Sequence, residues 1–177
     1  MIEFFTSGIV LDKSTASEED GFFIIFTEDL GKIYGQATSS RKIVSKLSPH
    51  LEPASFSKLR LTQKAPGSVF KIVDALVEAR QPKAEFVKIL HFADQMTPVL
   101  QPDRLLFNFL KERMADQEPN GDWLKKILKI LGFDPDNAAC DNCGCQKVAY
   151  FANQDIIFLC RLCAQKTSYP PEKLAPL

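Results

Sequence analysis

Two cysteine pairs, Cys140-Asp-Asn-Cys143 and Cys160-Arg-Leu-Cys163, stand sixteen residues apart in a chain of 177 residues. Two residues between cysteines let both sulfurs turn back onto one ion, and two such pairs supply the four thiolates of a tetrahedral zinc site. A site closed by four protein ligands has no open coordination position, so its expected role is structural. Backbone N–H groups within each knuckle can point at the sulfurs and offset their charge. Between the pairs, Val148, Tyr150, Phe151, Ile156, Ile157 and Phe158 surround the turn signal Asn153-Gln154-Asp155. That pattern reads as a β-hairpin joining two knuckles, the layout of a zinc ribbon. Cys145 leaves one alternative open. In Cys143-Gly-Cys145 either sulfur could take the second position, and Cys143 is the choice that repeats CxxC in both knuckles. A disulfide framework needs an oxidising compartment. Met1-Ile-Glu-Phe-Phe carries an acid where a signal peptide has its basic region, so a reduced, cytoplasmic chain is expected.

Charge is segregated along the chain. Met1 to Leu30 holds seven acids and one base, Gly31 to Gly67 holds seven bases and one acid, and the remainder holds fourteen of each. The formal net charge is therefore zero, which alone argues against a nucleic-acid binder, whereas the local block Lys32, Arg41, Lys42, Lys46, Lys58, Arg60 and Lys64 argues for one. No apolar run is long enough to span a membrane.

The first half of the chain reads as strands. Phe4 to Leu11, Phe22 to Phe26 and Lys32 to Ala37 are short apolar or alternating runs separated by an acidic loop and an Asp29-Leu30-Gly31 turn. Thr38 to Ser48 reads as a long exposed loop or short helix. In Ala54 to Lys64, Ser57, Leu59, Leu61 and Gln63 share one face, while Lys58, Arg60, Thr62 and Lys64 share the other. Ser68 to Val73 fits a fifth strand or a helix start, and the preceding Pro66-Gly67 favours the strand. Five such strands without helical crossovers predict a barrel. Helical periodicity follows, in Phe86, Val87, Leu90 and Ala93, then in Leu105, Leu106, Phe109, Leu110 and Met114. A third helix carries Trp123, Ile127, Ile130 and Leu131, with Asp122 as its cap and Gly132 at its end. The expectation is an α+β chain: a barrel over 1–79, helices over 80–136, the ribbon over 137–166 and an extended or frayed tail over 167–177.

No catalytic set is apparent, and the chain is expected not to be an enzyme. The two histidines, His50 and His91, lack partners in the sequence pattern, and Glu18-Glu19-Asp20 reads as a solvated run. Gly31-Lys32 is followed by Ile33, so there is no phosphate-binding loop. Tyr34 and Phe56 could stack on single-stranded bases, although core packing is the commoner role for both.

In order, Gly8-Ile-Val-Leu-Asp-Lys13, Phe26-Thr-Glu-Asp-Leu-Gly-Lys-Ile33, Gly35-Gln-Ala-Thr-Ser-Ser-Arg-Lys42, Leu51-Glu-Pro53 and Leu131-Gly-Phe-Asp-Pro135 lead into the two CxxC pairs. This succession resembles the bacterial RecO family of DNA repair and recombination mediators. The resemblance implies an OB-fold barrel, a central helical domain and a zinc ribbon at Cys140, Cys143, Cys160 and Cys163. It implies binding of single- and double-stranded DNA, strand annealing, and recombinase loading with RecR and the single-strand-binding protein, in the cytoplasm at the nucleoid. The residues matching the family's DNA-binding barrel are Lys32, Arg41, Lys42 and Lys46. Lys58, Arg60 and Lys64 come from the strand pattern alone. Zero net charge keeps a second reading open, a zinc-stabilised protein-interaction adaptor without DNA binding.

Overall fold

The computed structural model describes residues 1–15, 20–38, 47–116, 122–167, 169–170 and 173–177. It forms two compact units, Met1–Pro119 and Asn120–Leu177. Arg41, Lys42 and Lys46, with most of the expected exposed loop, lie outside the described residues, as do Glu18 and Glu19.

In the first unit, β1 (Ile2–Thr15), β2 (Gly21–Thr27), β3 (Gly31–Ala37), β4 (Ser55–Gln63) and β5 (Phe70–Arg80) close into a barrel in the order β1-β2-β3-β5-β4. The long β1 serves two neighbours. Its first half pairs with β4, and its second half, from Gly8 to Thr15, pairs with β2 across a bulge between Val10 and Asp12. The bulge re-aims the strand, which lets one β1 turn the barrel corner and run on through Asp12 to Thr15, where the sequence reads as loop. β5 closes the barrel by a short parallel pairing with β3, Gly35 opposite Phe70 and Gln36 opposite Lys71. Val10, Ile25, Ile33, Leu59, Leu61 and Ile72 fill the interior. The alternation expected for β4 holds through Leu61, with Lys58 and Arg60 outward, but Thr62 is buried. Leu61 and Gln63 stay buried on either side of Thr62, so the end of β4 is covered on both faces, and the register shift between Arg60 and Leu61 places its extra residue, Val73, on β5.

Helices α1 (Ala84–Met96) and α2 (Arg104–Ala115) belong to the same unit as the barrel. Phe107 of α2 sits between Phe26 and Phe56, with ring centroids 6.5 and 6.2 Å away. Asp103 caps α2 by accepting the Leu106 N–H at 3.0 Å. Two stripe members point elsewhere than expected: Val87 and Leu105 are exposed, and Ile89, Phe92 and Phe107 take the buried positions. Each displaced residue lies one position, about 100°, round from a buried neighbour, which puts it on the flank of the apolar stripe. The α1–α2 connection is tied to β3: Leu100 donates to the Lys32 carbonyl at 2.8 Å. Gly31, at φ +69, lies so close to the connection that a Cβ there would fall 2.2 Å from the Gln101 carbonyl oxygen.

In the second unit α3 (Trp123–Ile130) ends at Gly132, φ +88, with Phe133 donating to the Leu128 carbonyl at 2.8 Å. Asp122 occupies the N-cap position without a side-chain bond, so it does not cap as expected. β6 (Tyr150–Ala152) and β7 (Ile157–Leu159) form the expected hairpin around the 153–156 turn. Two elements add to it. α4 (Arg161–Lys166) starts at the second knuckle, and β8 (Leu174–Pro176) pairs antiparallel with β6. The tail is therefore a strand rather than frayed chain. β6 needs a partner on its free edge, and Leu177 continues the ladder by donating to Ala149 at 3.0 Å. Among the described residues no helix is long and apolar enough to cross a membrane.

Candidate metal centre and nucleic-acid interface

The hairpin brings the two knuckles to one point. The sulfurs of Cys140, Cys143, Cys160 and Cys163 all lie within 4.8 Å of one another. Cys143 Sγ and Cys160 Sγ are 3.8 Å apart. A tetrahedron with zinc–sulfur bonds of about 2.3 Å has edges of about 3.8 Å, so the donor set fits one metal ion. Cys145 is outside the cluster. Its carbonyl accepts the Cys140 N–H at 2.8 Å, and its exposed sulfur takes the Lys147 N–H at 3.5 Å, which assigns the second position to Cys143.

The electrostatics favour thiolates. Burial opposes ionisation of Cys140, but backbone N–H groups of Cys160, Asn142 and Cys143 outweigh it and bring its pKa down to about 6. The Cys145 N–H favours the Cys143 thiolate, yet hydrogen bonds shared with the sulfurs of Cys163, Cys140 and Cys160 hold its proton and push it up to about 12. Cys163 is likewise raised; Asn142 and Cys143 favour its thiolate, but burial and the neighbouring sulfurs prevail. Without metal, the first charge settles on Cys140, and a second close by is disfavoured. A divalent cation removes that conflict. Cys163 N donates to Cys160 Sγ at 3.5 Å, and the Asp141 carboxylate accepts the Phe158 N–H at 2.6 Å, pinning the first knuckle to β7.

The basic residues do not form one patch. Lys32 is buried: its ammonium group donates to the Asp94 carbonyl at 2.5 Å and lies 3.2 Å from the Asp94 carboxylate. It holds the last turn of α1 against the barrel and is not available to a phosphate. Lys58 and Arg60 are outward, as the strand pattern requires, but each is paired, Lys58 with Glu78 at 2.6 Å and Arg60 with Glu3 at 2.5 Å. Lys64 is exposed at the end of β4 and has no ion pair among the described residues. Phe56 is core, covered by Phe107 and by the Lys111 ammonium 4.9 Å over its ring.

Tyr34 is on the surface. It stacks on Phe22 across the outer face of β2 and β3, with centroids 5.6 Å apart and planes inclined by 23°. Next on that face is Gln36, which lies opposite Lys71 of β5, an exposed cation with no ion pair among the described residues. Phe22 and Lys71 are missed by the sequence reading. Phe22 opens the run Phe22-Phe-Ile-Ile-Phe26, which looks uniformly buried, although Phe22 and Ile24 in fact point outward. Lys71 falls on a strand whose assignment rests on a neighbouring turn.

Residues 1–79, the barrel, match the family model described as "Recombination protein O N terminal". Over 177 residues, 91% of this chain and 70% of the relative, the sequence is 27% identical to a protein named DNA repair protein RecO from Dehalococcoides mccartyi strain 195. Proteins of the same name from strains BAV1 and CBDB1 are 28% and 27% identical over 80% of this chain. The chain spans 61% of the length of those two relatives. The barrel's match and the likeness that continues through the helices and the ribbon agree: residues 1–79 match the N-terminal domain of the RecO family, and the chain as a whole is similar to proteins named RecO.

Proposed function

We propose that this chain is a DNA-binding protein of DNA repair that holds single strands on the outer face of β2 and β3. The observation that carries the reading is the ring pair of half-buried Phe22 and exposed Tyr34. Strands 2 and 3 are the face on which OB-fold barrels take oligonucleotides, and an exposed aromatic ring there gives bases a sequence-tolerant platform. Lys71 flanks it through its register with Gln36, and Arg41, Lys42 and Lys46 follow β3 in the sequence. Cations beside a stacking surface would hold phosphates while the bases pack on the rings.

In this reading Cys140, Cys143, Cys160 and Cys163 hold a structural zinc that shapes the second unit, and the protein performs no bond chemistry of its own. Screening two strands while their bases stay accessible would promote annealing. The family resemblance supports a cytoplasmic role as recombination mediator, with RecR and the single-strand-binding protein as partners. The adaptor reading draws on the net charge of zero. Anisotropy of a labelled single-stranded oligonucleotide separates the two. Tyr34→Ala should weaken binding about tenfold, since stacking contributes roughly 1–3 kcal/mol per base, and Tyr34→Phe should retain it. Equal affinity for wild type and Tyr34→Ala would remove the platform. No binding by wild type at low salt would favour the adaptor.

A further inference from the structure

The opposite side of the barrel has different chemistry. A groove of about 560 Å³ runs over the outer faces of β1, β4 and β5. Its two walls are apolar and open to solvent: Phe5 of β1 is 72% exposed and Leu76 of β5 is 58% exposed. Phe5 lies opposite Arg60 and Leu76 opposite Lys58 in the strand registers, so the two cations form the floor between the walls. That arrangement looks suited to an anion until the acids are counted. Both cations are already occupied, by Glu3 and Glu78. The lining also includes Glu28, Asp29 and Asp74, none of which is in an ion pair among the described residues. Asp29 accepts the Thr6 hydroxyl at 2.8 Å, and Asp74 accepts the Ala75 N–H at 2.9 Å. These bonds orient the carboxylates without neutralising them. The groove therefore carries two cations against five carboxylates, and a phosphate backbone entering it would meet repulsion.

We propose that this groove is a docking surface for a protein segment that presents a lysine or arginine between large apolar side chains. Two exposed walls, about two strand spacings or ~10 Å apart, would take the apolar side chains. Glu28 and Asp74 would receive the cation. The intramolecular pairs at Lys58 and Arg60 keep the floor closed to acidic competitors and to nucleic acid, which is the repulsive half of specificity. The proposal does not depend on DNA binding at β2 and β3, since the two faces share no residue.

The test uses the full, metal-loaded chain and two short synthetic peptides, one alternating leucine with lysine and the other alternating leucine with glutamate. Amide shifts in nuclear magnetic resonance spectra report the site. The expected result is saturable binding of the leucine–lysine peptide with shifts centred on Phe5, Arg60 and Leu76. Glu28→Gln with Asp74→Asn should weaken it about tenfold, and Phe5→Ser with Leu76→Ser should abolish it. Both pairs of substitutions are at the surface and should leave the melting temperature and single-stranded DNA affinity unchanged. The proposal is overturned if the leucine–glutamate peptide binds as tightly, if the charge variant binds undiminished, or if the shifts map elsewhere. It is also overturned if single-stranded DNA itself shifts the groove, or if Phe5→Ser dissociates a dimer that covers it.

Discussion

Burying an ammonium group is unfavourable unless acceptors replace its water, and Lys32 finds two of them on one residue. The Asp94 carbonyl lies in the last turn of α1, where orphan carbonyls concentrate partial negative charge. The Lys32 backbone carbonyl takes the Leu100 N–H, so Lys32 is bonded both to the last turn of α1 and to the segment that follows it. Lys32→Met would keep the packing of the stem and leave the Asp94 acceptors without their donor. Because Asp94 retains about a quarter of its side-chain exposure, the loss should fall below the figure for a fully buried pair, at about 2 kcal/mol. A lowered urea midpoint with single-stranded DNA affinity unchanged is the expected result. An affinity loss with an unchanged midpoint would return Lys32 to the phosphate-binding set.

At the scale of the element, the ribbon separates what spacing can reveal from what it cannot. The two CxxC pairs and the hairpin between them are legible because ligand geometry and strand alternation are both local. The barrel's five strands are legible for the same reason. Less so are β8 and the outward side of β2. β8 exists because β6 has a free edge, and Phe22 faces outward because of barrel register, neither of which a local pattern encodes. Lys58, Arg60 and Lys32 show the limit from another side: the sequence gives their sign, but only the fold supplies Glu78, Glu3 and Asp94 as their partners. Within the ribbon, Cys143→Ser should remove tight metal binding, while Cys145→Ser should retain it, as metal content after dialysis would report. Proton release tests the same assignment. At pH 7 the metal-free cluster already has its Cys140 charge, but Cys143 and Cys163 are held protonated. Metal uptake should therefore release at least the protons of Cys143 and Cys163, read as buffer-dependent heat in calorimetry, and affinity should fall as pH falls. A heat independent of buffer ionisation would contradict the four-thiolate site.

For the whole molecule, zero net charge makes any DNA binding a local property, so its salt dependence should be set by few cations. Lys64→Gln with Lys71→Gln should reduce the slope of log affinity against log salt by about 1.4, at roughly 0.7 per phosphate contact. An unchanged slope would place the phosphates elsewhere. The division into two units makes a separate prediction about metal removal. The barrel unit has a closed sheet and an apolar interior independent of any ligand. The cluster around the knuckles is Cys140, Cys160 and Cys163 with Leu159 and Ala164, so three of its five buried members are the metal ligands themselves, and beside it the hairpin buries only Phe151, Ala152 and Phe158 among the described residues. A core that small gains its stability from coordination rather than from apolar area. Chelation under reducing conditions should thus abolish hydrogen-exchange protection in β6, β7 and β8 and leave the amides of β1 to β5 protected. Should the barrel strands lose protection together with the ribbon, the two units unfold as one, and the metal stabilises the entire chain.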